Sequence, residues 1–340
     1  MPGANVNWPT PLTRLTPWYP GQAGGVPGVD SETGLRLNTE GCVFYVDPNH
    51  PDPHDQRDGT NPDSPLATVG AAIAKCEAYR GDVIAVMHNG MWTYGDMTAN
   101  HITPIQETVT IDVPGVRLVG VSPSTLGVPW IPTANNDTLI TVTALDVIIE
   151  GFNFWDGGLY TGVTGIAVAW DSPTLFGENL TVRHNYFYDI AYGVTLDYAW
   201  NCYIEDCQFY NMGVAAIHNP SVYGEPDYLV IQGCIFRDNA ADINLPDTDE
   251  VLIEGCRFMD VTVAIAMTSG DNNQIVGNVI QGDGTGTNNM INLTGGANNV
   301  VTDNTLSCTI AQYDTVCSDA TSGSWGFNHC ANGDTTAAPT

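Results

Sequence analysis

The sequence predicts an all-β solenoid, a fold that grows by stacking one short unit on the next. Three observations carry this. A phrase of one pattern recurs as VIIEGFNF (147–154), LTVRHNYF (180–187), CYIEDCQF (202–209), LVIQGCIF (229–236), VLIEGCRF (251–258), NQIVGNVI (273–280) and NVVTDNTL (299–306). Anchored on Ile149, Val182, Ile204, Ile231, Ile253, Ile275 and Val301, the phrases lie 33, 22, 27, 22, 22 and 26 residues apart, a basic turn of 22 with insertions. Between phrases a second short strand returns: TGIAVAW (164–170), YGVTLDY (192–198), AAIHN (215–219), ADINL (241–245), VAIAM (263–267), NMINL (289–293). A fixed period in this range marks a repeat architecture in which each coil buries its apolar side only against its neighbours.

Taken in order, residues 1–40 are rich in Pro and Gly and carry Trp8, Trp18 and Tyr19 without periodicity. They read as an extended arm whose aromatics anchor to a partner. Residues 41–108 form an entry module. A strand (43–46) leads into a polar loop, and a helix follows over 66–79 with Leu66, Val69, Ile73 and Cys76 on one face. GDVIAVMHNG (81–90) then reads as a buried strand and turn. A helix at this point is expected to cap the first coil, whose edge would otherwise be open to pairing. The solenoid occupies 109–307, and 308–340 form a small-residue tail over the last coil.

The entry pattern YVDP…DGTNPDSPLATVGAAIAKC…GDVIAVMHNGMWTYG resembles that of the right-handed parallel β-helix superfold, the pectate-lyase-like fold of polysaccharide lyases, glycosidases, bacteriophage tailspikes and other virion proteins. The resemblance covers about residues 42–307 and implies the fold. It leaves the activity open, because the superfold hosts many functions.

With Ile149 and its equivalents as position zero, positions minus two and zero are apolar and face the core. Position three is Phe152, Asn185, Cys207, Cys234, Cys256, Asn278, Asn304, and position five is Phe154, Phe187, Phe209, Phe236, Phe258, Ile280, Leu306. Coils about 4.8 Å apart stack equal positions into ladders of rings, amides and thiols. Position seven, Asp156, Asp189, Asn211, Asp238 and Asp260, reads as a row of turns; the functional alternative is a calcium-binding edge of carboxylates.

Charge narrows the partners. Asp and Glu outnumber Lys and Arg by 38 to 9, for a formal net charge of −29, which disfavours nucleic acid and anionic lipid. Neither a signal peptide nor a membrane-inserting apolar run is expected. The cysteines (42, 76, 202, 207, 234, 256, 308, 317, 330) read as thiols made in a reducing cytoplasm; Cys317 and Cys330 are the pair considered for later oxidation.

The resemblance implies a groove on the outer face of one sheet beside its longest loops. On the returning strand this selects Asp197, His218 and Asp242, with Glu225 from the insertion, as catalytic residues if the chain is an enzyme. Trp170, Asp171, Tyr198, Trp200 and Tyr223 are the carbohydrate-binding candidates, since rings and carboxylates suit sugar. A pectate-type lyase needs a base, and Arg117, Arg183, Arg237 and Arg257 all lie off this strand. In the loop 55–64, Asp55, Asp58, Asn61 and Asp63 offer oxygens to calcium, the one cofactor the sequence leaves open, although a plain turn is the preferred reading.

The expectation is therefore a bacteriophage virion protein, a surface-projecting head decoration or spike without catalysis, assembled in the host cytoplasm. The resemblance implies a homotrimer, with residues 1–40 contacting other virion proteins and a cell-surface glycan as a further partner. The alternatives are an extracellular polysaccharide hydrolase or, less favoured, a lyase, and a non-catalytic carbohydrate-binding adhesin.

Overall fold

The computed structural model describes residues 41–88, 104–123, 126–169, 177–220, 224, 226–282 and 289–308, and in the tail 312–313, 316–319, 324–330, 333–335 and 339. The arm, with Trp8, Trp18 and Tyr19, lies outside the described residues. Among those described, three sheets wind into one solenoid. Sheet 1 has eleven strands, from Val43–Val46 to Ser324–Gly326; sheet 2 has ten, from Val128–Trp130 to His329–Cys330 and Gly333–Asp334; sheet 3 has nine, from Val109–Ile111 to Cys317–Asp319. Pairing is parallel throughout except for the last pair of sheet 2. One coil runs Tyr192–Leu196 in sheet 3, Tyr203–Glu205 in sheet 1, Gln208–Tyr210 in sheet 2, and then enters Ala215–His218 in sheet 3. No helix among the described residues is long and apolar enough to cross a membrane.

Backbone turns close each coil. At position minus three, Asp146, Asn179, Asn201, Tyr228, Glu250, Asn272 and Asn298 all have φ between 52° and 61°. At position two, Gly151, His184, Asp206, Gly233, Gly255, Gly277 and Asp303 are also left-handed. At position seven the same holds for Asp189, Asn211, Asp238 and Asp260. The turn reading of that last row is correct at these four residues. Asp156 is the exception, its side chain bonding Gly158 N while Gly157 and Gly158 take the positive φ.

Inside, the ladders form as expected. Phe154, Phe187, Phe209, Phe236 and Phe258 stack with centroids 4.9, 4.7, 5.0 and 4.8 Å apart, each contact worth about 0.5–1.5 kcal/mol beyond its buried area. Towards the C-terminal end amides take over. Asn278 Oδ1 accepts from Cys256 N at 2.9 Å, Asn304 Oδ1 from Asn278 N at 2.9 Å, and Asn328 Oδ1 from Asn304 N at 3.1 Å. A second such ladder, Asn273 and Asn299, occupies position minus two, where only apolar residues were expected. The thiols of Cys207, Cys234 and Cys256 are buried and donate to carbonyls of the preceding coil. Burial raises the Cys234 thiol, and the neighbouring Cys234 together with burial raises that of Cys256, both well above the usual thiol range, which suits packing rather than nucleophilic attack.

The entry module departs from expectation in two ways. Its helix is only Val69–Ile73, capped by Thr68 Oγ1 accepting from Ala71 N at 3.1 Å. Tertiary bonds from residue 77 onward compete with helix propagation: Asp82 Oδ2 accepts from Glu77 N at 2.8 Å, and Tyr79, with φ 57°, donates its N–H to Pro114 O at 2.8 Å. Nor does the helix bond the edge of the first strand. Tyr45 N donates to Gly59 O at 2.7 Å, Asp47 N to Leu66 O at 3.0 Å, and Leu66 N to Tyr45 O at 2.8 Å, so the loop takes that edge. The helix lies against Val43–Val46, Val83–Met87 and Val109–Ile111.

At the other end Cys330 meets Cys308, not Cys317: their sulfurs are 3.5 Å apart in successive coils, 22 residues apart in sequence. Bond formation to about 2.05 Å therefore needs only a small approach. Treatment with glutathione disulfide should join Cys308 to Cys330, releasing two glutathione thiols, and the closed loop should stabilise the last coil by about 3 kcal/mol. Non-reducing peptide mapping checks this; a linkage that survives Cys308→Ser but is lost in Cys317→Ser would contradict it.

Candidate functional site

Sheet 3 carries the row on which sequence reasoning placed the chemistry. The register Val194↔Ile217↔Ile243↔Ile265 puts these side chains in the core, and the next residues, Thr195, His218, Asn244 and Ala266, in an outward row. His218 is half-buried, its ring stacked on Tyr192 at 5.4 Å and 22°. Burial lowers its pKa below the ordinary imidazole value, so at neutral pH the ring is uncharged.

Asp197 lies beside the second long insertion. A Cβ added to Gly224 would stand 2.2 Å from Asp197 Oδ1 and 2.6 Å from the Tyr198 ring, so the backbone at Gly224 packs directly on both. Trp200 is exposed nearby. Trp170, Asp171, Tyr223 and Glu225 lie outside the described residues.

Asp242 corrects the sequence reading. It is 2% exposed and faces the core, because it falls one residue before Ile243, in the row of Gly165, Gly193, Ala216 and Ala264. That row is small for a reason: a Cβ on Gly193 would be 2.7 Å from the Phe209 ring. Asn239 Nδ2 donates to Asp242 Oδ1 at 2.7 Å, while Oδ2 has no partner. Burial drives this carboxyl well above the usual carboxylate range. Asp197 and Asp242 thus do not flank one cleft.

In the entry loop three of the four side chains offered to calcium accept from backbone N–H groups. Asp55 accepts from Ala67 N and Thr68 N at 2.8 and 2.9 Å, Asp58 from Thr60 N at 3.2 Å, and Asn61 from Asp63 N at 3.0 Å.

A different place gathers functional groups, at the corner where sheet 2 passes into sheet 3. A groove of about 350 Å³ is lined by Asp156, Tyr160, Thr161, Asp189, Asn211 and Val214, among others. Asp156 is 4% exposed. Burial, with the neighbouring Asp189 adding to it, pushes its carboxyl up to about 6 against the hydrogen bond from Gly158 N. Asp189 Oδ1 accepts from Asn211 Nδ2 at 2.8 Å. Immediately before these residues, position six forms a row on the outer face of sheet 2: Trp155↔Tyr188↔Tyr210↔Arg237. Tyr186 stacks on Tyr210 at 5.6 Å and 19°, and the Arg237 guanidinium lies 5.7 Å from the Tyr210 ring centre. The Trp155 ring lies over Gly157, where a Cβ would be 2.8 Å from its Cζ2.

Residues 135–322 match the family model of the right-handed β-helix region. The chain belongs to that family. Among solved structures, the β-helix is similar to ORF18 of Geobacillus virus E2, at 13% identity over 85% of this chain and 62% of that one, with a TM-score of 0.49. It is also similar to alginate lyase from Paenibacillus sp. str. FPU-7 (15% identity, 79% and 96% of the two chains, TM-score 0.46). The third is the Streptococcus pneumoniae surface protein and adhesin PfbA (11%, 75% and 85%, 0.38). No curated protein sequence matches the chain.

The raised Asp242 pKa has a direct consequence for this β-helix. The native state holds a proton there that the unfolded chain releases near pH 3.9, so stability falls as pH rises from that value towards the folded pKa. Replacing Asp242 by Asn keeps the acceptor for Asn239 and removes the ionisable group. We expect Asp242→Asn to stabilise the fold at pH 7 by about 1–2 kcal/mol and to flatten the pH dependence above pH 4. Denaturant melts at pH 4 and pH 7 check it; equal stabilisation at both would contradict the linkage.

Proposed function

We propose that this chain is a structural protein of a bacteriophage virion, a head decoration or spike that projects an acidic β-helix from the particle surface and performs no catalysis. The observation that carries the non-catalytic part is the separation of the carboxylates: Asp197 packs under Gly224, and Asp242 points into the core. Hydrolysis of a glycosidic bond needs two carboxyl groups across one cleft. A lyase base is equally misplaced, for Arg117 and Arg183 belong to sheet 1 and Arg237 and Arg257 to sheet 2.

The reading gives residues 1–40 the anchoring role, through Trp8, Trp18 and Tyr19, and makes the assembled form a homotrimer. A net charge of −29 suits a part displayed outward, where it repels other anionic surfaces. One observation favours a second reading, a polysaccharide hydrolase. Asp156, with its pKa raised to about 6, stands beside Asp189 in the groove, and carboxyl pairs of unequal environment are the raw material of acid catalysis.

Three measurements separate these. Antibody to the chain should label the surface of purified phage particles, and deletion of 1–40 should abolish incorporation while the solenoid still melts as before. Incubation with host polysaccharide should release no new reducing ends. Release that vanishes in Asp156→Asn would replace the non-catalytic reading with the hydrolase.

A further inference from the structure

We propose that the outer face of sheet 2 is the surface through which copies of this chain pack on one another, around an axis parallel to the solenoid. The number of copies rests on the homotrimer reading above; the choice of face rests on the surface itself.

Composition comes first. In register from coil to coil, position six presents Trp155, Tyr188, Tyr210, Arg237 and Met259. Position four presents Tyr186, Gln208, Ile235, Arg257 and Val279. All of these are at least partly exposed, Val279 at 42%. None is Asp, Glu or Lys, although the chain holds 38 Asp and Glu. Tyr, Trp, Met and Arg are enriched at protein interfaces, whereas Asp, Glu and Lys are depleted there.

The strip is also regular and its rings are held. Its strands pair in parallel without a register shift as far as Phe258, so the outward groups form a straight ridge along the solenoid. Tyr186 stacks on Tyr210, and the Arg237 guanidinium lies 5.7 Å from the Tyr210 ring centre. Ring orientations set before contact lose little side-chain freedom on association.

Charge is the second, independent observation, and it selects a second copy as the occupant. Two chains of net charge −29 repel unless carboxylates are kept out of the centre of the contact. Sheet 1 presents Glu205 and Glu254 on its outer face, and sheet 3 the short row Thr195, His218, Asn244 and Ala266. Sheet 2 presents rings and two arginines. Arg237 is held by Asp238 and Asp260 at 3.2 and 3.5 Å. Arg257 is exposed and forms no ion pair among the described residues. In a ring of parallel copies equal coils lie at equal height. Arg257 of one copy therefore comes level with Glu254 and Asp260 of the next, which border the strip in the same coil. An apolar centre, a spare cation and an acidic border together make the face complementary to its own copy.

The test is light scattering on the full chain during size-exclusion chromatography, with sedimentation equilibrium to give dissociation constants. The parent should run at three chain masses. Tyr210→Glu and the charge reversal Arg257→Glu should each raise the dissociation constant by about tenfold or more, with the far-ultraviolet circular dichroism unchanged. Arg257 lies at the surface, so its replacement leaves the core intact. Tyr203→Glu, on the outer face of sheet 1 and 41% exposed, and deletion of 1–40 should assemble as the parent does. A monomeric parent overturns the proposal, even if another virion protein binds the strip. So does dissociation caused by Tyr203→Glu or by the deletion, and so does parental affinity in either sheet 2 variant. A dimer lost in both sheet 2 variants keeps the face and overturns the threefold reading. Should phage particles carry a chain that is monomeric, the virion reading stands and the interface falls; should the chain assemble through sheet 2 while antibody labels no particle, the reverse holds.

Discussion

Everything in this molecule depends on the backbone reversing direction at nearly single residues with positive φ. Each regular coil has three such corners, at positions minus three, two and seven. A non-glycine residue held there costs about 1–3 kcal/mol unless the surroundings compensate. Asn and Asp reduce the cost by bonding nearby backbone, yet Tyr228, Glu250 and His184 hold the same conformation at φ 56°, 58° and 52°. Their neighbours above and below impose it: Tyr228 N donates to Asp249 O, Glu250 N to Asp271 O and His184 N to Glu205 O. The stack therefore enforces corners that the local sequence would not choose, and cooperativity between coils replaces local propensity.

Fixed corners fix which residues point inward, and this makes the ladders possible. Phe rings lie within 4–18° of parallel along five coils because every coil has the same path. At position three, where the thiols end, Asn278, Asn304 and Asn328 continue by bonding the backbone of the preceding coil, converting a polar core position into part of the main-chain network. Asp242 breaks the pattern. It stands in a row of Gly and Ala beside the rings, tied only to Asn239, itself inserted in the row of Ile190, Met212 and Val261. A charge would be intolerable there, and the carboxyl keeps its proton instead.

Most of this architecture was legible in the chain because it repeats. Ile149 to Val301 predict the strands of sheet 1, and Phe154 to Leu306 the inward line of sheet 2, since burial at one coil is confirmed by the same residue type at the next. What stayed hidden was whatever the repeat does not specify. Asp242 turns inward because the residue before the inward Ile or Val is buried in each neighbouring coil, at Gly165, Gly193, Ala216 and Ala264, so strict alternation fails at that place in sheet 3. The helix, read as 66–79, stops at Ile73 because bonds from Asp82 and Pro114 lie outside any local pattern. The groove was missed for another reason. Its lining residues Asp156, Asp189 and Asn211 occupy position seven, assigned to turns, and the insertion that brings in Tyr160 and Thr161 has no counterpart in the repeat.

The last point bears on how a solenoid acquires a site at all. Position seven calls for Asn or Asp because of its backbone, so the corner between sheets 2 and 3 is supplied with carboxylates and amides whether or not they serve a ligand. A hollow at this corner then needs little more than a longer coil. This occurs at one place: the coil after Trp155 inserts Gly157 to Thr161, and Asp156 there departs from the left-handed conformation its equivalents keep. Asp156 keeps a turn role of another kind, its side chain accepting from Gly158 N and its carbonyl from Leu159 N, while it is buried and lines a groove. At Asp189, Asn211, Asp238 and Asp260 the left-handed backbone accounts for the residue type, whereas at Asp156 the bond from Gly158 N to its side chain does, with Gly157 and Gly158 taking the positive φ.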